Sequence, residues 1–108
     1  MQFNLVFITT ALVVSASLAM SATITGFSGA DCTGSVVFSS EVSPGECLTL
    51  GTSLVRSIGF SGVPNQIQFY ISGGAHNSCT NGASEVRGGL SGCVTAPVGF
   101  TWESVSVS

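Results

Sequence analysis

The stretch that decides the fold is Ile24-Thr25-Gly26-Phe27-Ser28-Gly29, followed by Cys32-Thr33-Gly34, then Cys47-Leu48-Thr49-Leu50 and Ser57-Ile58-Gly59-Phe60. Its pattern returns later in the chain. The second version reads Ile67-Gln68-Phe69-Tyr70-Ile71-Ser72-Gly73, Cys79-Thr80-Asn81-Gly82, Cys93-Val94-Thr95 and Ser104-Val105-Ser106-Val107. In both versions a first cysteine is followed by threonine and a nearby glycine, and the unit closes on serine-apolar-small-apolar. The matches keep the same order, which reads as a duplication of a unit of about forty residues, with Ser61 to Pro64 as the joint.

Within each unit the local pattern is that of strands. Thr23-Ile24-Thr25, Leu48-Thr49-Leu50, Gln66-Ile67-Gln68-Phe69 and Ser104-Val105-Ser106-Val107 alternate polar and apolar residues. A period of two turns one face inward and the other outward. β-Branched and aromatic residues fill these runs, and Gly, Pro, Ser and Asn separate them. The expected strands lie near residues 22–28, 35–42, 46–50 and 54–61, then 66–72, 83–88, 92–96 and 101–107. Two such units packed face to face make an all-β sandwich. Its core is expected to contain Ile24, Val37, Leu48, Leu50, Ile58 and Phe60 from one half. Ile67, Phe69, Val94, Trp102, Val105 and Val107 would meet them from the other.

Upstream of the repeat, Phe3 to Met20 carries no charged side chain. The apolar run Leu5-Val6-Phe7-Ile8 through Ala11-Leu12-Val13-Val14 gives way to the small residues Ser15-Ala16-Ser17-Leu18-Ala19. That is the form of a secretory signal peptide over 1–19, with cleavage expected after Ala19 or Ser21. The run falls short of the roughly 20 apolar residues that a bilayer span requires, so a stable membrane anchor is not expected. The mature chain, 22–108, is then one domain of two repeats, about 22–62 and 65–108, destined to be secreted and extracellular.

All four cysteines, Cys32, Cys47, Cys79 and Cys93, follow the leader. An exported chain of this size meets an oxidising compartment and gains from covalent staples, so two disulfides are expected. Zinc would require close ligand pairs, and here the nearest cysteines are fourteen residues apart. Four cysteines allow three connectivities. If each repeat is one closed unit, the equivalent bridges are Cys32–Cys47 and Cys79–Cys93, each closing about fifteen residues and contributing roughly 3 kcal/mol. Crossed pairings would close longer loops and would give the halves unequal roles.

The spacing of Phe27, Cys32 and Gly34, with the later Ser57-Ile58-Gly59-Phe60 and Ser104-Val105-Ser106-Val107, resembles the Greek-key signature of the βγ-crystallins. In that family the glycine permits a tightly folded hairpin and the serine hydroxyl bonds back to it. The resemblance carries these roles to Gly34 with Ser57 and to Gly82 with Ser104. It departs from the family in two respects. Cys32 stands where an aromatic is usual, and the second hairpin is longer, Tyr70 lying nine residues before Cys79. The chain is also similar in kind to small secreted fungal cysteine-containing proteins, including killer toxins and effector candidates with crystallin-like sandwiches. The implied fold is a two-repeat Greek-key β-sandwich stapled by two disulfides.

Family members often hold calcium in a loop that opens on an Asn/Asp pair. The corresponding segments, Thr52 to Ser57 and Gly99 to Ser104, open on neither, and hard cations take six to eight oxygens. No metal site and no cofactor are expected. Only Arg56 and Arg87 oppose Asp31, Glu41, Glu46, Glu85 and Glu103, and lysine is absent. A chain so poor in cations cannot neutralise a phosphate backbone, so no nucleic-acid partner is expected.

Catalytic parts are scarce too. His76 is the single histidine and sits in a glycine-rich turn, and Glu41 and Glu46 flank a Pro-Gly turn. Neither forms a nucleophile–base–acid set, so the chain is read as no enzyme. Gly73-Gly74 and Gly88-Gly89 lack the Lys and following helix of a phosphate loop and read as turns. Tyr70, His76 and Trp102 are the candidate contact residues for a binding surface. These readings lead to a small non-enzymatic effector or toxin-like protein with an extracellular target, either protein or cell-wall carbohydrate. A carbohydrate-binding module and an extracellular structural protein are the alternatives. With little charge to repel copies, a monomer or weak homodimer is expected.

Overall fold

The computed structural model describes residues 21–51, 53–73 and 78–108. The leader read over 1–19, and His76 in its turn, lie outside the described residues. The alternating runs become six strands: β1 Ala22–Phe27, β2 Val36–Val42, β3 Cys47–Thr49, β4 Ser57–Ile71, β5 Glu85–Thr95 and β6 Trp102–Val107. A short 3-10 turn, Ala30–Cys32, lies between β1 and β2.

Eight expected strands become six because two pairs run on without a break. The expected strands 54–61 and 66–72 join through the joint as β4, and 83–88 and 92–96 join as β5. The two long strands pair irregularly near Val63, and a bulge of that kind bends the strands that carry it. The register between them shifts between Phe60 and Val63 and again between Val63 and Gln66. Gly62 takes a φ of +73° there, and a Cβ on Gly89 would lie 2.8 Å from the Val63 carbonyl oxygen. The close approach of the two backbones requires glycine.

All pairing is antiparallel, in the order β2-β1-β4-β6-β3 with β5 on β4. The bend divides this network into two layers. One contains β2, β1, the 57–61 part of β4 and the 92–95 part of β5. The other contains the 85–88 part of β5, the 66–71 part of β4, β6 and β3. Each layer therefore takes three strands from one half of the sequence and one from the other. β3 leaves its own half to pair with β6, and 92–95 leaves its half to pair with 57–61.

The layers close on one apolar cluster. Ile24, Leu50, Ile58, Phe60, Ile67, Phe69, Val94, Trp102, Val105 and Val107 are buried as the alternation predicts, and Val42, Val55 and Val63 join them. Leu48 and Phe38 pack partly buried against the cluster. Val37 is the exception. In β2 the inward positions are Phe38, Ser40 and Val42, so Val37 falls on the outward face and is exposed. Phe60, Phe69 and Trp102 form a tilted aromatic series with centroid spacings of 5.7 and 5.4 Å, geometry favoured by the ring quadrupoles.

Two disulfides lock the exchange, Cys32–Cys93 and Cys47–Cys79. This corrects the expected Cys32–Cys47 and Cys79–Cys93 bridges. The expectation of equivalent bridges assumed that each third strand stays with its own half. Because the third strands are exchanged, the first cysteine of each half meets the second cysteine of the other. The two bridges remain equivalent even though each joins one half to the other.

Candidate functional site

The register lays the two outer faces out as matching rows. On the first layer Phe27, Ser57 and Thr95 stand opposite one another, with Thr25, Gly59 and Cys93 in the next row. On the second layer the rows are Tyr70, Ser104 and Thr49, then Gln68, Ser106 and Cys47. Each second row ends in a cysteine that bridges to the turn folded over the first row.

Those turns are tied down by the two serines. Ser57 is fully buried; its hydroxyl accepts the Cys32 N–H at 2.8 Å and donates to the Gly29 carbonyl at 2.6 Å. Ser104, also fully buried, accepts the Cys79 N–H at 3.2 Å through its Oγ. The Asp31 N–H donates to Thr95 Oγ1 at 2.9 Å, so the first turn also grips the strand supplied by the other half. Both cysteines sit at positive φ, Cys32 at 58° and Cys79 at 56°.

Gly34 and Gly82 have nearly the same backbone, with φ of +84° and +83°. A Cβ on Gly34 would meet Ser28 Oγ at 2.8 Å and the Gly29 amide nitrogen at 3.0 Å; among the described residues none comes within 4 Å of a Cβ placed on Gly82. Phe27 is half-buried at the end of β1.

The aromatic contact surface is corrected. Trp102 is only 2 % exposed and Tyr70 only 6 %. Trp102 lies inside the sandwich and donates its indole N–H to the Val94 carbonyl at 3.1 Å. Tyr70 stands in the second layer's outer row and donates its hydroxyl to Gln68 Oε1 at 3.0 Å. Neither ring offers a face to a partner.

An open groove of about 400 Å³ lies instead on the first layer's outer face. Thr25, Gly59 and the Cys32–Cys93 bridge make its centre, Phe27 closes one end, and Thr23, Ser61 and Ser91 line the other. No lining residue carries a charge. The groove exists because position 59 is glycine: a Cβ there would touch Cys32 Sγ and Phe27 Cε1, each at 3.4 Å. These residues were invisible as a group in the sequence. Only strand register brings Thr25 of β1, Gly59 of β4 and Cys93 of β5 into one row.

The acids form no comparable cluster. Glu46 Oε1 accepts the Ser43 N–H at 3.0 Å across the turn it shares with Glu41, and Glu85 pairs with Arg87 at the surface. Among the described residues no group of three His, Cys, Asp or Glu could hold a metal ion. Among them, too, no helix is long and apolar enough to cross a membrane.

A family model described as the N-terminal domain ARB_05566_N matches residues 23–107. This chain belongs to that family. The ARB_05566_N match spans both halves and all four cysteines, so the exchanged architecture corresponds to the whole matched unit. No curated protein and no solved structure matches the chain.

Proposed function

We propose that this chain is a secreted, non-enzymatic protein, effector or toxin-like, that acts outside the cell through its surface, and that its sandwich is a pair of Greek keys of the βγ-crystallin kind. One observation carries the reading: each half's third strand lies in the other half's layer and is fastened there by a crossed disulfide. Such an interlock holds only where thiols stay oxidised. It favours a protein that must keep its shape in an uncontrolled medium.

The exchange also supports the Greek-key assignment, because it makes the halves equivalent: Ser57 with Cys32 and Ser104 with Cys79 are both separated by 25 residues. The surface has little charge with which to work, since only 6 % of the residues are charged. Recognition by shape and neutral hydrogen bonding therefore fits it better than electrostatic capture.

The test is expression of the full chain in a eukaryotic secretory host, then exposure of fungal, bacterial and plant cells to the purified protein. The expected result is a processed chain in the medium, beginning near Met20 or Ala22, with no free thiol. A dose-dependent growth or tissue response should disappear after reduction. Retention of the chain inside the cell with reduced thiols would refute export. A secreted, oxidised protein without effect on any of these cells would refute the effector reading.

A further inference from the structure

We infer that the groove over Gly59 is a binding site for an uncharged carbohydrate chain. The inference rests on the extracellular reading above and names the ligand class of that surface.

The argument starts from the difference between two equivalent faces. In the second layer the row next to the serine tie is filled: Gln68 and Ser106 occupy it, and Gln68 Oε1 accepts hydrogen bonds from both Ser106 Oγ, at 3.3 Å, and the Tyr70 hydroxyl, at 3.0 Å. The polar groups of that face satisfy one another. In the first layer the same row holds Thr25 and Gly59, and the tyrosine position is a phenylalanine, Phe27. Shortening glutamine to threonine, serine to glycine and tyrosine to phenylalanine removes the internal network and leaves a trough across three strands. Duplication supplied a filled version of this face, and the open one carries less side chain at those three places and at Thr23, which stands where the other has Gln66.

The lining decides the ligand class. Thr23, Thr25, Ser61 and Ser91 offer hydroxyls, each able to donate and accept. Phe27 and the Cys32–Cys93 sulfurs supply apolar surface beside them. Without a charged residue in the groove, an anionic or cationic ligand would lose its hydration with no counter-charge to replace it. A neutral sugar has the complementary composition: hydroxyls at its rim and C–H faces that lie against a ring or a disulfide. The volume falls within the usual range for small-ligand sites, roughly 300–1,000 Å³. The groove is open, which suits the interior of a longer chain.

The test uses the secreted, oxidised protein and four defined probes: laminarihexaose, chitohexaose, mannohexaose and, as the anionic control, oligogalacturonate. Titration by NMR should show saturable binding of at least one neutral hexasaccharide, with the amide shifts concentrated on Thr25, Gly59, Ser61, Ser91 and Gly92. The double variant Thr25→Gln with Gly59→Ser copies the filled row and should weaken binding at least tenfold with an unchanged far-UV spectrum. Gly59→Ala, whose Cβ meets its neighbours at ordinary contact distance, is the milder control should the double variant misfold. It should weaken binding by a smaller factor. Absence of binding to every neutral probe, tighter binding of oligogalacturonate, or full binding by a folded double variant would each overturn the inference. Any of these outcomes leaves export and cell response standing, whereas intracellular retention defeats the extracellular reading whatever the sugar data.

Discussion

Replacing Cys32 and Cys93 together by serine tests the crossed topology most directly. The Cys32–Cys93 bridge spans 61 residues and encloses the Cys47–Cys79 bridge, which spans 32. With the inner bridge intact, removing the outer one frees only the flanking segments, 32–47 and 79–93, about thirty residues in all. Loop-closure entropy then gives a loss of about 3.5 kcal/mol. For a domain of this size that lowers the melting temperature by roughly 15–25 °C, measurable by far-UV circular dichroism at constant protein concentration. The discriminating partner is the Cys32→Ser, Cys47→Ser double variant. In the crossed structure it breaks both bridges, leaves Cys79 and Cys93 as two free thiols, and destabilises the domain well beyond the first variant. With bridges confined to each half it would instead keep a Cys79–Cys93 disulfide. Thiol titration and intact mass distinguish the two outcomes, and a stable, thiol-free Cys32→Ser, Cys47→Ser protein would refute the exchange of third strands.

Other substitutions probe the turns and the core. Ser57→Ala leaves the part-buried Cys32 N–H and Gly29 carbonyl without their shared partner, and should cost about 1–3 kcal/mol in urea unfolding. Ser104→Ala, which gives up the 3.2 Å bond from the Cys79 N–H, should destabilise the domain as well. Gly34→Ala imposes left-handed backbone strain of about 1–2 kcal/mol and also drives a Cβ against Ser28 and Gly29. This variant should therefore unfold at clearly lower denaturant than the parent protein, and an unchanged midpoint would show that strain and crowding are relieved at no cost. Trp102→Phe removes the buried donor to Val94 and leaves a void beside Phe69. A loss of about 2 kcal/mol is expected from calorimetry.

Much of the fold was legible because alternation is a local signal. Ile24, Ile58, Ile67 and Val105 are buried where a period of two places them, and the expected strand bounds lie within a few residues of those observed. Val37 was misplaced because Val36, Val37 and Phe38 are all apolar, and alternation cannot choose among neighbours of the same character; Phe38 is the one that packs on the core. The binding surface was less legible. A tryptophan, a tyrosine and a histidine are chemically conspicuous in a sequence, yet Trp102 and Tyr70 are spent on packing and internal hydrogen bonds. The groove is built from threonine, serine and glycine, which carry no signal until they stand in one row. Its clearest mark in the sequence is a contrast between repeats, Thr25 against Gln68 and Gly59 against Ser106, visible only once register has aligned them.

The sequence alone determines which face of each strand is apolar, where glycine must turn the chain, that two like units are present, and that the serine of each unit has a turn to hold. Tertiary structure decides which unit each third strand joins, and therefore which cysteines meet. The physical reason is that backbone pairing is nearly blind to side-chain identity, and an apolar face is buried equally well against either of two similar layers. A duplicated unit thus offers each third strand two partners of like pattern. The choice falls to the geometry of the connections and the closure of a shared core, which no local stretch of residues contains.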